Sequence, residues 1–296
     1  MPHKSNMFIH KSTITSRRGT RRSALLAALA LTTLGVVVVA ASPSRARGAD
    51  LPAAAATAVT AKVPPPKGWL HSFAQGFAGN TLNTGVWGTC YPWQLGGCTN
   101  YGNVNDAEKE WYLPSQVQVK NGALGLVAQR EATWGTDQFG RPKEYMCRSG
   151  MVTSFPSFSF RYGFVRVTAR LAFGKGLWNA IWLAAQSYQW PPEVDILEHW
   201  GSQSISRVFL HPIGMPEQEG VMQLPAADKG WHTFTLSWTP KRLTWWFDGH
   251  QVYTTTTGVP QQAMYLIMNL ADDDDTQGSC SGTFNVQAVN VWVPRS

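Results

Sequence analysis

From Gly68 onward the apolar residues of this chain recur at every second position, not at every third or fourth. That period commits the chain to strands, because successive side chains of a strand point to opposite faces. In residues 161–171, Val165, Val167, Ala169 and Leu171 alternate with Arg166, Thr168 and Arg170. In residues 231–238, Phe234, Leu236 and Trp238 alternate with Thr233, Thr235 and Ser237. Residues 242–247, then Asp248-Gly249, then residues 250–257 read as a hairpin closed by a two-residue turn, and 286–293 as a final strand. Outside the first 46 residues no long run has helical spacing. Short strands separated by Gly, Pro and Asn predict an all-β fold, an antiparallel sandwich.

Charge divides the chain in two. Residues 1–46 hold seven of the 25 Lys and Arg and none of the 18 Asp and Glu, so the remainder carries 18 of each sign. A balanced body gives no support to a nucleic-acid partner. The leader places Arg17, Arg18, Arg21 and Arg22 before an uncharged apolar stretch, residues 24–41. Val39-Ala40-Ala41 and Ser44-Arg45-Ala46 each offer small residues at −3 and −1. Residues 1–46 are therefore expected to be a signal peptide, and the product to be secreted, without stable membrane insertion after cleavage. An uncleaved anchor is the alternative, since about 18 apolar residues just span a bilayer. Thr20-Arg21-Arg22-Ser23-Ala24-Leu25 resembles a twin-arginine signal. Residues 47–66 are rich in Ala and Pro and read as a linker. Residues 67–296 carry no second linker and no repeat, and read as one domain, expected to be monomeric.

Four cysteines suit an exported protein. Cys90 and Cys98 are close in sequence; Cys147 and Cys280 are far apart. Of the three connectivities, the near pair with the far pair is expected. No C-x-x-C spacing is present, so no metal site is expected.

The most informative stretch is Pro192-Glu193-Val194-Asp195-Ile196-Leu197-Glu198-His199. In a regular strand Glu193 and Asp195 share a face and Glu198 points away. One extra residue, a β-bulge, returns Glu198 to the first face. His199 then alternates to the opposite one. Three crowded carboxyls repel, and at least one must hold its proton more tightly. An ionised carboxylate beside a protonated carboxyl is what glycoside hydrolysis uses. Trp178 and Trp182 lie shortly upstream in Leu177-Trp178-Asn179-Ala180-Ile181-Trp182-Leu183. Indole faces stack on the apolar C–H faces of sugars, so both are candidate substrate platforms.

The chain resembles glycoside hydrolase family 16 across about residues 70–293. The resembling segments run in order: Leu82-Asn83-Thr84-Gly85-Val86-Trp87, Glu108-Lys109-Glu110-Trp111-Tyr112, Val119-Lys120-Asn121-Gly122-Ala123-Leu124 and Ser149-Gly150-Met151-Val152-Thr153-Ser154. Tyr162-Gly163-Phe164, Gly176-Leu177-Trp178, Trp231-His232-Thr233-Phe234, Trp245-Trp246-Phe247-Asp248-Gly249 and Met268-Asn269-Leu270-Ala271 complete it. The Glu-x-Asp-x-x-Glu run at 193–198 is the specific signal, and its x-x spacing resembles the bulged, laminarinase-like branch.

The resemblance implies a β-jelly-roll sandwich with a concave substrate cleft. It also implies a retaining endo-β-glycosidase acting on β-1,3- or mixed β-1,3/1,4-glucan, with a polysaccharide as partner. Glu193 would be the nucleophile, Glu198 the acid/base, and Asp195 the group that tunes both. Trp178, Trp182, His211, Asn269 and Glu110 would meet substrate. A wall-polysaccharide transglycosylase and a non-catalytic carbohydrate-binding sandwich are the competing readings. No cofactor is implied. Family members often hold a structural calcium with an Asp of the last strand; Gln287 stands there instead, which counts against it. The run Asp272–Asp275 also departs from the family's Gly-rich turn.

Overall fold

A computed structural model describes residues 63–93, 108–137, 139–155, 157–201, 203–224, 230–274 and 276–295. The leader and residues 47–62 of the expected linker lie outside the described residues, as do Cys98 and Asp275. Of the linker's last four residues, Val63 accepts a hydrogen bond at its carbonyl from the Arg166 guanidinium.

Apart from one short 3-10 turn, Pro114–Gln116, the regular structure of the described chain is all strand. Its elements are β1 Leu70–Gln75, β2 Glu110–Tyr112, β3 Val117–Lys120, β4 Ala123–Gln129, β5 Thr133–Thr136, β6 Pro142–Tyr145, β7 Cys147–Ser149, β8 Met151–Thr153 and β9 Gly163–Arg170. They continue as β10 Leu177–Ala185, β11 Glu193–Trp200, β12 Ile205–His211, β13 Gln218–Gln223, β14 His232–Thr239, β15 Arg242–Phe247, β16 His250–Thr255, β17 Met264–Asp272 and β18 Ser281–Val293. No helix among the described residues is long and apolar enough to cross a membrane.

Two large sheets pack face to face as a sandwich. One runs β16-β15-β14-β9-β18-β4-β7-β2, with β1 paired to β18 and β3 to β4. The other runs β13-β12-β11-β10-β17-β8. β5 and β6 form a separate two-stranded ribbon. All large-sheet pairings are antiparallel except β2 with β7. The alternation read from sequence is the burial pattern: Val165, Val167, Phe234, Leu236 and Trp238 enter the inter-sheet core. They meet Ile181, Leu183, Val194, Ile196, Leu197, Val208 and Leu210 from the six-stranded sheet. The hairpin also forms as expected. Asp248 and Gly249 adopt φ of 47° and 86°, the positive pair that a two-residue turn between twisted strands requires.

The central strand β10 is buried along all nine residues, since both of its faces are covered. Leu177, Ile181 and Leu183 face the inter-sheet core. Ala180, Trp182 and Ala184 join a second apolar cluster on the outer face, with Tyr91, Tyr112, Met151, Tyr265 and Ile267.

Cys147 is bonded to Cys280, joining the starts of β7 and β18 across 133 residues of sequence. Closing so long a loop contributes about 5 kcal/mol on the chain-entropy account. Cys90 is also disulfide-bonded; its expected partner, Cys98, is outside the described residues. In β18 the ladder to β9 shifts between Val286 and Ala288, leaving Gln287 at the irregularity, exposed. A neutral amide there is a weaker cation ligand than a carboxylate.

Asp272 ends β17 fully buried, its carboxyl within 4.8 Å of both sulfurs of the disulfide. A Cβ at Gly176, whose φ is 76°, would strike its Oδ1. Neither oxygen makes a well-formed hydrogen bond. Burial, then the charges of Asp273 and Asp274, push its pKa up to about 7 from 3.8, only partly offset by Ser279 and Cys280. A raised acid favours the folded state below its unfolded pKa, and that contribution is lost as pH rises through the folded value. Asp272→Asn should therefore raise the melting temperature at pH 8 and leave it nearly unchanged at pH 4. The gain should be at most about 4 kcal/mol. Equal shifts at both pH values would contradict this account.

Candidate active site

The register of β11 against both neighbours slips at one place. On the β10 side Ile181 pairs Leu197 while Trp182 pairs Asp195. On the β12 side Asp195 pairs Phe209 while Glu198 pairs Arg207. Ile196 is the extra residue, and both Ile196 and Leu197 point into the core. The expected bulge is therefore present, and it returns Glu198 to the face of Glu193 and Asp195. The Trp245 indole, from the opposite sheet, crosses the core and donates to the Asp195 carbonyl at 3.0 Å. His199 faces the other way, as its parity requires: it bonds Ser206 at 3.0 Å and meets Phe173 edge-on. Burial lowers its pKa to about 4, so it is neutral.

Register places the outer-face neighbours of each acid. Glu193 lies between His211 and Ala184, Asp195 between Phe209 and Trp182, and Glu198 between Arg207 and Ala180. The small side chains of Ala180 and Ala184 leave space beside the two glutamates. Oxygens of Glu193 and Asp195 and a nitrogen of His211 lie within 4.8 Å of one another. His211 Nε2 is 3.3 Å from Asp195 Oδ2 and 3.6 Å from Glu193 Oε1, close enough for an ion pair though not aligned as a hydrogen bond. His211 Nδ1 is 3.0 Å from Glu217 Oε2. The Trp190 indole donates to Glu193 Oε2 at 3.1 Å.

Electrostatics follow from this crowding. Burial, then repulsion from Glu193 and Glu198, push the Asp195 carboxyl well above the usual carboxylate range; His211 offsets only part. Burial alone would lower His211, but Asp195, Glu217 and Glu193 outweigh it and push its pKa up to about 11. Asp195 and His211 thus hold their protons more tightly than the isolated groups would.

Aromatic surfaces flank the acids. Trp178 stacks on Trp200, with centroids 5.2 Å apart and planes at 19°, and the Arg207 guanidinium lies 5.7 Å from the Trp200 ring. Trp178 is on the outer face but only 3% exposed, so Trp200 presents more of the pair's surface. Trp182 lies 6.2 Å from both Tyr91 and Trp93. Its indole donates to Asn269 Oδ1 at 2.8 Å, and Asn269 Nδ2 donates to the Tyr112 hydroxyl at 2.9 Å.

The expected site residues thus occupy different positions. Glu193, Asp195, Glu198 and His211 form one cluster. Trp178 and Trp182 share its face, and Asn269 is a buried bracket for Trp182. Glu110 differs from the cleft-lining position expected. It is fully buried, and its Oε2 accepts the backbone N–H of Asp272 at 2.7 Å. Burial and then Glu108 push it well above the usual range. Sequence reasoning missed Trp190, Trp200, Glu217, Tyr91 and Tyr112. Trp190 and Trp200 sit just before and just after the acidic run, a signal that was present. Glu217 had none, because the irregular loop Pro212-Ile213-Gly214-Met215-Pro216-Glu217 fixes no direction.

The site is thus a row of three acids on a bulged strand of a β-sandwich, flanked by tryptophans. The family model for glycosyl hydrolases family 16 matches residues 106–287, and the chain belongs to that family. It is 28% identical over 202 residues to the endo-1,3-1,4-beta-glycanase ExsH of Rhizobium meliloti, covering 64% of this chain and 42% of that one. The chain thus spans less than half the length of that relative. It is 28% identical over 237 residues to a glucan endo-1,3-beta-glucosidase of Cryptopygus antarcticus, covering 67% and 84%. The endo-beta-1,3-glucanase structure from Pyrococcus furiosus shares the fold, with a TM-score of 0.65 at 21% identity over 77% of this chain and 95% of that one. So does the Rhodothermus marinus laminarinase, at 0.64 and 23% over 78% and 99%.

Asn269→Ala should orphan the Trp182 donor and remove the Tyr112 partner, at about 1–3 kcal/mol for each buried group. Denaturant melts of Asn269→Ala against the parent check this; an unchanged midpoint would refute the bracket.

Proposed function

We propose that this chain is a retaining endo-β-glucanase that cleaves β-1,3- or mixed β-1,3/1,4-glucan. The observation that carries the reading is the bulge-assembled row Glu193, Asp195 and Glu198, with Trp190 and His211 on Glu193. The names of the relatives support the substrate class.

In this reading Glu193, ionised, attacks the anomeric carbon. As the glycosidic C–O bond breaks, Glu198 gives its proton to the leaving oxygen. Glu198, now a base, takes a proton from water, which displaces Glu193 from the sugar. The Trp190 N–H and the His211 cation stabilise Glu193 as the carboxylate that must first attack and then leave. Asp195, holding its proton, donates between the glutamates without adding a third charge. The same residues would serve a transglycosylase, with a sugar hydroxyl replacing water.

Turnover of laminarin and mixed-linkage glucan tests the reading. Glu193→Gln should lose activity by about 10²–10⁴-fold or more while keeping substrate binding. Glu198→Ala should retain slow attack on substrates with good leaving groups and recover with azide. Proton NMR should show the β-anomer first. An α-anomer first, or near-parental turnover in Glu193→Gln, would overturn it.

Extracellular location belongs to the same proposal. The basic-then-apolar leader and the Cys147–Cys280 disulfide support it. N-terminal sequencing of protein from the culture medium should begin at Ser42 or Arg47; a start at Met1 would count against export.

A further inference from the structure

Glu217 lies in the connection between β12 and β13, remote in sequence from the acidic run. Its carboxyl meets one ring nitrogen of His211 at 3.0 Å, while Asp195 and Glu193 face the other at 3.3 and 3.6 Å. With oxygens of Glu217 at one nitrogen and of Asp195 and Glu193 at the other, the ring is placed to carry a proton on each. The ring is also enclosed by Trp190, at 5.8 Å, and Phe209, at 6.0 Å. The Glu217 side chain is 34% exposed and that of His211 8%. Glu217 therefore links a buried cation to an acid that solvent reaches.

Among the described residues, other titratable groups lie near this cluster. Glu198 lies further along β11, beside Arg207. Arg207 is bonded to Glu219 at 2.6 Å and to Gln203 at 2.9 Å. Tyr265, facing Glu193 from β17, is held as the neutral phenol by burial and by the charges near it.

We infer that Glu217 is a positioning residue, holding His211 by Nδ1 so that the cationic Nε2 edge faces Asp195 and Glu193. Its catalytic consequence rests on the reading of Glu193 as nucleophile; the hold on His211 does not. A fixed cation at Glu193 favours the ionised form needed for attack and again for departure. Without Glu217, the ring loses the anion that fixes its Nδ1 proton and its orientation.

The test uses Glu217→Gln and Glu217→Asp in the full chain. The glutamine keeps the size and an acceptor oxygen but not the charge; the aspartate keeps the charge. With ¹⁵N-histidine labelling, the His211 titration midpoint should fall by about one pH unit or more in Glu217→Gln and partly recover in Glu217→Asp. On laminarin, kcat should fall about tenfold, with KM changing less than about twofold, and the acid limb of kcat should move to higher pH because a less firmly held cation favours the ionised nucleophile less. Glu217→Asp should restore part of each. An unchanged His211 titration in Glu217→Gln overturns the inference whether or not the chain cleaves glucan. A shifted titration with parental kcat and pH profile overturns the catalytic consequence alone. A fall in melting temperature and kcat with the pH profile intact would make Glu217 merely structural. Failure of the parent to cleave any β-glucan would remove the glucanase reading, while the titration would still decide the hold on His211.

Discussion

The site depends on one extra residue in one strand. Ile196 breaks the pairing of β11 on both sides at once, so two consecutive side chains, Ile196 and Leu197, enter the core and Glu198 comes back out. A bulge leaves backbone groups outside the ladder, and a buried group without a partner costs about 1–3 kcal/mol. The Trp245 indole supplies a partner for the Asp195 carbonyl from the other sheet. The bulge is thus tied to the packing of the whole sandwich. Trp245 is among the largest fully buried side chains, fixed by its neighbours rather than by any loop. The acids are consequently carried on a central strand whose position the core determines, and that rigidity is what keeps three repelling carboxyls together.

Their repulsion is a standing cost to the fold. Charged groups taken out of water without partners would neutralise instead. The outer face answers with one buried cation, one indole donor and retained protons. His211 and Trp190 both address Glu193, while burial and its two acidic neighbours push the Asp195 carboxyl well above its ordinary range. A similar solution without a cation appears at the end of β17. Asp272 sits beside the disulfide with its pKa raised to about 7, while Lys175 is spent on Asp274 at 3.1 Å. The acidic run after Ala271 is therefore not uniform: its first member is interior, and Asp274 is tied to a lysine.

Much of this was legible in the sequence because period two is unambiguous wherever one face is buried. The alternation in β9 and β14 and the Asp248-Gly249 turn follow from counting positions, the bulge from asking what would return Glu198 to the other acids and from the family resemblance, and the structure bears each out. Counting fails where both faces are covered. β10 is buried at every position, so Trp178, Ala180 and Trp182 could be assigned to the outer face but not graded by exposure. Counting also carries no information about contacts between distant segments. Glu110 was expected to meet substrate because of its place in a resembling segment. Its carboxyl instead serves the backbone of Asp272, 162 residues away, a contact that only the approach of β2 to β17 creates. Glu217 was invisible for another reason: it is only six residues from His211, but the loop between β12 and β13 has no period from which its direction could be counted.

The aromatic residues show why composition alone does not reveal a binding surface. Fourteen tryptophans are far more than a cleft needs, and the structure divides them by hydrogen bonding as much as by burial. Trp238 and Trp245 send their N–H groups to backbone carbonyls inside the sandwich, to Pro260 and Asp195. Trp182 and Trp190 send theirs to side chains of the outer face, to Asn269 and Glu193. An indole whose donor is already committed can offer only its ring, and a ring held at a fixed angle loses little conformational entropy when a flat apolar surface settles on it. Asn269 is therefore as much a part of the Trp182 surface as the indole itself. Its oxygen fixes the ring and its amide is anchored in turn by Tyr112, so the stiffness of the surface comes from a chain of buried polar groups reaching from β10 through β17 to β2.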